Sequence, residues 1–470
     1  MDAAPSHQVA LPQQLAAGRV RQQLAAVDFS KYLPLYRAIL AVNWEEALIF
    51  FNQHPSAIQS PLTNHLETAL HVAARAGNNT SFMENLVAFL LEDNEQVEAL
   101  SPRDASGHTP LHYAASHGNI EVAHILVRRN SNLLYLHNND GFFPIHYAAM
   151  NYRKSKDAFL YFLRLTRDDE YGHPNPYAVP TGVQILVNLI GNKLYDLALQ
   201  LVVRYPDLGR HKMLIRSSAL DALVLYDCPI INKGVFKAES TTSTPIFYLI
   251  TSLLPWLVKK SIVNKMVLHH QAMKLLKFLC DQLKTLNETQ VDWLTRCAFL
   301  EATSLDIHQV IINIAEAYPL LVYFLNPMRQ NILHVAVKNR SENVFNLVCG
   351  TSMLRINLSN VLDINRNSVL HLAGKLAPPH KLNLVSGAAL QMQRELQWFK
   401  EVQKIAPSHH MSSPNIVGKT PSIVFTEEHK ELKEAGEKWM KDTANSCTIA
   451  AALIVTVVFA AAISSWWQQW

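Results

Sequence analysis

Apolar residues recur every three or four positions in many short stretches of this chain, a spacing that predicts amphipathic helices rather than strands. Phe82, Leu86 and Leu90 form one such face, and Val122, Leu126 and Val127 form another. A second apolar block precedes each. Thr68-Ala69-Leu70-His71 runs into Val72-Ala73-Ala74 and Gly77, and Thr109-Pro110-Leu111-His112 runs into Tyr113-Ala114-Ala115 and Gly118. Phe143-Pro144-Ile145-His146 with Tyr147-Ala148-Ala149 is a third copy. Thr109 and Phe143 lie 34 residues apart, and Thr68 and Thr109 lie 41 apart, which places a short insertion near Asp93 to Glu98. Two later blocks, Asn331-Ile332-Leu333-His334 and Ser368-Val369-Leu370-His371, repeat the theme.

The residue types have separate physical tasks. Pro110 suits the first helical position, where a missing N–H is not needed. Ala114 and Ala115 allow close helix approach, and Gly118 can take the left-handed conformation that ends a helix. One helix pair cannot bury its own apolar face, so copies must stack. Period and motif together resemble ankyrin repeats, most specifically at 64–100, 104–137 and 138–170. Tyr32 to Pro55 resembles a degenerate earlier copy through Leu35, Ala38, Ile39, Trp44, Leu48 and Phe51.

Beyond these blocks the pattern changes. Val183 to Leu186 and Leu197 to Val202 predict two helices without the repeat turn. Ile246 to Val258 is a 13-residue apolar run broken by Pro255, too short to cross a bilayer. Cys447 to Ile463 carries no charge, with Thr448 and Thr456 its polar residues; with Ser446 it spans roughly 27 Å as a helix, enough to cross the hydrocarbon layer. The expected fold is all-α: an ankyrin-repeat solenoid in two arrays joined by a helical linker, followed by one C-terminal transmembrane helix. The expected divisions are a tail at 1–30, repeats at 31–170, degenerate helical repeats at 171–235 and a linker with a basic segment at 236–292. A second repeat array at 293–405, a juxtamembrane segment at 406–445, the membrane helix at 446–463 and a tail at 464–470 complete the chain.

A further resemblance lies near the C-terminus. Ser386-Gly387-Ala388-Ala389-Leu390-Gln391-Met392-Gln393-Arg394-Glu395-Leu396-Gln397-Trp398-Phe399 precedes Gly418-Lys419-Thr420-Pro421. Then come Phe425-Thr426-Glu427-Glu428-His429-Lys430 and Glu437-Lys438-Trp439-Met440-Lys441-Asp442-Thr443-Ala444. This string resembles the entry to the Pro-Gly-Gly (PGG) domain of plant ankyrin-repeat membrane proteins. The resemblance implies cytosolic arrays, a membrane-embedded C-terminus and roles in defence or stress signalling through protein contacts. Members of that family continue into a Pro-Gly-Gly turn and further membrane helices, whereas Ile463 is followed here by seven residues, so the expectation is a form shortened after its first membrane segment.

Composition narrows the functional classes. At 470 residues and net charge +4, the chain gives no electrostatic reason to expect a nucleic-acid partner. Its five scattered cysteines fit a reducing compartment rather than a disulfide framework. The repeat histidines His71, His112, His146, His334 and His371 occupy equivalent places on helices expected about 8–10 Å apart, too far to share one tetrahedral ion. They are expected to hold turns, and no metal or cofactor is expected. Gly418-Lys419-Thr420 imitates the end of a phosphate-binding loop, but the required earlier glycine is Ser413, so another ankyrin turn is the better reading. No nucleophile elbow, zinc-protease helix, kinase set or acyl-transfer motif is present, and no catalytic residue is assigned.

Two surfaces remain. Arg103, Ser106, His108, Asn138 and Asn139 are polar turn residues expected to touch a protein partner. Lys259, Lys260, Lys265, Lys274 and Lys277 flank an apolar stripe of Ile262, Met266, His269, Met273, Leu276 and Cys280, expected either to pack on the repeats or to meet a membrane surface. Lys430, Lys433, Lys438 and Lys441 precede the apolar segment, and no Lys or Arg follows it. That bias keeps the repeats cytosolic, with Trp466, Trp467 and Trp470 at the far interface of a plasma or endoplasmic-reticulum membrane. The expected function is a non-enzymatic, membrane-anchored adaptor; the alternative is a subunit or regulator of a membrane channel or transport assembly.

Overall fold

The computed structural model describes residues 29–77, 79–92, 97–168, 172–213, 218–226 and 256–467. The apolar run Ile246–Val258 falls mostly outside them, as do Cys228, Trp470 and the side chains of Lys259, Lys260, Trp466 and Trp467. Among the described residues the chain is 70% helical, with 22 α-helices and no strand. It divides into two compact units, Met1–Ser217 and Ser218–Trp470.

The first unit is a row of helix pairs. These are α1 (Leu33–Leu40) with α2 (Trp44–Gln53), α3 (Ala69–Arg75) with α4 (Thr80–Glu92), and α5 (Pro110–His117) with α6 (Ile120–Arg129). Next come α7 (Pro144–Met150) with α8 (Lys156–Leu165), and α9 (Gly182–Gly191) with α10 (Tyr195–Arg204). The inner helices α1, α3, α5, α7 and α9 pack side by side in chain order. Leu70, Leu111 and Ile145 each expose 1% or less, so the apolar position of each repeat block faces its neighbours. Burying a leucine or isoleucine this completely contributes about 1.5–3 kcal/mol each.

The second unit follows the same plan, with two long outer helices, Trp256–Leu283 and Ala388–Ile405. α11 (Ala219–Leu225) is followed by α12 (Trp256–Leu283), and α13 (Glu288–Ser304) by α14 (His308–Ala317). α15 (Ile332–Lys338) precedes α16 (Glu342–Cys349) and α17 (Ser352–Ser359). Then α18 (Val369–Ala373), α19 (Pro379–Leu382) and α20 (Ala388–Ile405) are followed by α21 (Pro421–Glu428) and α22 (Lys430–Trp467). Helices α11, α13, α15, α18 and α21 stack in order. On α12, which packs on α11 and α14, His269, Leu276, Cys280 and Leu283 are buried and Met266 and Met273 half-buried, while Lys265, Lys274 and Lys277 are exposed and the side chain of Ile262 lies outside the described residues. The part of the stripe from His269 onward thus packs on the neighbouring helices.

Glycine matters where the turns demand it. Gly118 ends α5 at φ 74°, as its place after the helix requires. Gly107 sits at φ +79°, and a Cβ there would lie 2.3 Å from Asn139 Oδ1 of the next turn. Gly107→Ala is therefore expected to lower the unfolding free energy by about 1–3 kcal/mol. Gly77→Ala, where a Cβ meets nothing within 4 Å, should be close to neutral. Denaturant midpoints of the two variants measure the difference.

Candidate functional site

At His71, His112 and His371 a repeat is joined to the next through its histidine. His112 Nδ1 accepts from the Thr109 backbone N–H at 3.0 Å and lies 2.9 Å from Thr109 Oγ1. Its Nε2 donates to the Phe142 carbonyl, just ahead of the following helix, at 3.0 Å. His71 repeats the arrangement with Thr68 and the His108 carbonyl, and His371 with Ser368 and the Lys419 carbonyl. The last case makes Gly418-Lys419-Thr420-Pro421 a repeat turn, with Thr420 at the N-cap of α21 and Pro421 at its first position. Neutral, Nε2-protonated imidazole fits these partners, and a second proton on Nδ1 would face an N–H. Burial pushes His112 down to about 3, and His146 and His334 each down to about 4; burial also lowers His71 and His371.

The loops ahead of α5, α7, α15, α18 and α21 form fingers, each built on one Asx side chain, and Thr63 Oγ1 takes that place ahead of α3. Asp104 Oδ1 accepts from the N–H groups of Ser106 (2.9 Å) and His108 (2.7 Å). Asn138 does the same for Asp140 and Phe142, Asn326 for Met328 and Gln330, Asp363 for Asn365 and Asn367, and Asn415 for Val417 and Lys419. Adjacent fingers are bonded together. The Asn139 N–H donates to the Ser106 carbonyl at 3.0 Å, Ile364 N–H to Met328 at 3.0 Å, and Ile416 N–H to Asn365 at 2.9 Å.

The five polar turn residues separate into two groups. Arg103, Ser106 and Asn139 are exposed on the fingers, and Arg103 bridges two of them by donating to the Gly107 and His137 carbonyls. Asn138 is 1% exposed and holds its own turn, and its Nδ2 donates to Tyr147 Oη at 3.0 Å. His108 is half-buried, 3.0 Å from Asp104 Oδ2 through Nδ1 and 2.7 Å from Tyr147 Oη through Nε2. Burial would raise the Asp104 carboxyl, but hydrogen bonds from His108 and Tyr113 outweigh it and hold it near about 2. Polarity marked all five as loop residues; which of them build the turn depends on packing that spacing does not encode.

The C-terminal helix is locked to the last repeats. Arg340 pairs with Glu395 on α20 (Nη2 to Oε2 2.6 Å, Nε to Oε1 3.1 Å), and His429 Nε2 lies 3.1 Å from the same Oε2. All three are buried. Burial opposes ionisation of Glu395, yet hydrogen bonds from His429 and Arg340 bring it to about 2. Further along α22, Gly436 lies against Ala389, and Trp439 covers Gly387. Contacts thus pass from Glu395 back to Gly387 as α22 advances from His429 to Trp439, so α22 runs antiparallel to α20. Because α20 leads back toward the finger at 415–419, α22 leaves the array on the side opposite the finger tips. From Ser446 onward its described side chains are exposed, and it is long and apolar enough to cross a membrane.

With that geometry established, the family comparison is direct: residues 33–133 and 83–171 match the model for ankyrin repeats (3 copies). The first unit therefore carries ankyrin repeats, modules that mediate protein–protein contact. The chain is also 30% identical over 132 residues to Alpha-latrotoxin-Lh1a of Latrodectus hasselti, a match covering 21% of this chain. It spans 9% of that protein's length.

The histidines give a pH expectation with a definite sign. Their folded pKa values lie below the unfolded value near 6.5, so between about pH 6.5 and 4 the unfolded chain binds protons that the folded chain refuses. Stability is complete above that window and falls within it, with a limiting slope of about 1.4 kcal/mol per pH unit for each histidine. Urea midpoints from pH 7.5 to 4.5 should drop progressively, and His112→Gln should flatten the curve. A flat wild-type profile would contradict the assignment.

Proposed function

We propose that this chain is a non-enzymatic adaptor, anchored to a membrane by the apolar part of α22 with its repeats in the cytosol, and gathering protein partners on its fingers. The observation that carries the reading is the presence of exposed polar fingers in the first unit and, in the second, of an exposed apolar helix that leaves from the side opposite that unit's own finger tips. Arg103, Ser106 and Asn139 meet the partner, while His108 and Asn138 set the shape of the fingers on which they stand. Lys430, Lys433, Lys438 and Lys441 on the N-terminal side of the apolar stretch favour cytosolic repeats. The resemblance of 386–463 to the entry of the PGG domain supports a role in defence or stress signalling at the plasma membrane or endoplasmic reticulum. Exposed Lys265, Lys274 and Lys277 on α12 add contact with anionic headgroups mainly through charge, since the stripe from His269 onward is turned to the neighbouring helices.

Proximity labelling of the full chain, of a version ending at Asp442 and of an Arg103→Ala/Ser106→Ala/Asn139→Ala variant tests the reading. The shortened version should label a different, soluble neighbourhood. The triple variant should keep the membrane neighbourhood while losing particular proteins. Identical labelling by all three would remove the adaptor proposal. Orientation has its own check: the sequons at Asn287 and Asn357 should stay unglycosylated in eukaryotic cells, and modification of either would place the arrays in the lumen.

A further inference from the structure

The fingers of the second unit carry a different surface from those of the first. In the first unit the tips ahead of α5 and α7 are Ala105, Ser106, Asn139 and Asp140, with Gly107 and Gly141 at the left-handed turn position, while the finger ahead of α3 places the half-buried Leu66 there (φ 61°). In the second unit the tips are Pro327 and Met328, Ile364 and Asn365, and Ile416 and Val417, of which Met328, Ile364, Ile416 and Val417 expose 54%, 53%, 64% and 71%. The left-handed position is filled by Arg329 (φ 56°) and Arg366 (φ 59°) before returning to Gly418. An arginine held there is strained by an amount a glycine would avoid, and such strain persists where the side chain is wanted. Both arginines are exposed, and neither guanidinium has a hydrogen-bond or ion-pair partner among the described residues. The backbone bonds from Ile364 to Met328 and from Ile416 to Asn365 fix the three fingers in one row.

We propose that this row is a docking ridge for an extended, acidic peptide segment of a partner protein, with apolar side chains alternating with carboxylates. This rests on the adaptor reading and names the chemistry of a second contact, distinct from the polar fingers of the first unit. Three fingers at about 8–10 Å per repeat cover about 20 Å, the length of roughly six extended residues. Apolar partner side chains cover Met328, Ile364 and Ile416, and carboxylates between them meet Arg329 and Arg366 with the planar, two-bond geometry guanidinium favours. Lipid is a poor occupant, because α22 departs from the opposite side of the array.

The test uses the full chain in detergent micelles and a fluorescein-labelled octapeptide alternating leucine with glutamate, read by anisotropy. The glutamate peptide should bind, more weakly as salt rises, with its glutamine counterpart at least tenfold weaker and its lysine counterpart not binding. Arg329→Gly/Arg366→Gly should reduce the glutamate peptide to the glutamine level while leaving Tm unchanged or raised, since the substitution relieves the backbone; lost binding then cannot be lost folding. Ile364→Ser/Ile416→Ser should weaken the glutamate and glutamine peptides alike. Equal binding of the glutamate and lysine peptides, no binding of the glutamate peptide, or full binding by the double glycine variant would overturn the proposal. Recruitment of the version ending at Asp442 to phosphatidylserine vesicles through Arg329 and Arg366 would overturn it in favour of lipid. None of these outcomes alters the labelling expected of the first-unit variant, so the two readings fail separately.

Discussion

A buried imidazole that faces its own helix with one nitrogen and the next repeat with the other is the interaction on which this architecture depends. The donor at Nε2 has no water to turn to, so it needs the carbonyl that the following finger supplies. A repeat is therefore incomplete until its successor folds. This makes stacking obligatory in polar terms as well as apolar ones, and it makes stability a property of neighbouring pairs. The relay is not made at every repeat: the Nε2 of His146, after which the turn signature fades, has no hydrogen-bond partner, and neither has that of His334, although a finger follows it at 363–367.

Much of this was legible in the chain. Thr109-Pro110-Leu111-His112 and its variants announced the inner helices because each position has a single physical task, and Leu70, Leu111 and Ile145 took the buried places that periodicity assigns. Other parts could not be read. Ser218 and Asp221 form a reciprocal N-cap on α11 in which aspartate stands where the other repeats have histidine, so a search for the histidine passes over it. The finger at 415–419 serves His371 from 48 residues away, beyond the usual repeat length. Arg340, Glu395 and His429 come together only through the folded path, 55 and 34 residues apart, with no local pattern to connect them.

The two units also show how one scaffold separates shape from surface. The Asx side chain at the base of each finger is the same device in Asp104, Asn138, Asn326, Asp363 and Asn415, and it leaves the tip free to vary. Tips in the first unit are short and polar. Those in the second are bulky and partly cationic, at a cost in backbone strain that turn formation alone does not require.

Helix α22 follows α21 after the single intervening residue His429, whose ring faces Phe425 and Glu395 at once. That joint leaves little freedom for swivelling. Whatever grips the far end of the helix also sets the tilt and azimuth of the terminal repeats, much as a mast fixes the heading of the platform bolted to it. A ligand captured by those repeats is thereby oriented as well as retained, and a pull along the helix axis reaches the repeat stack through a buried ion cluster rather than through a slack tether.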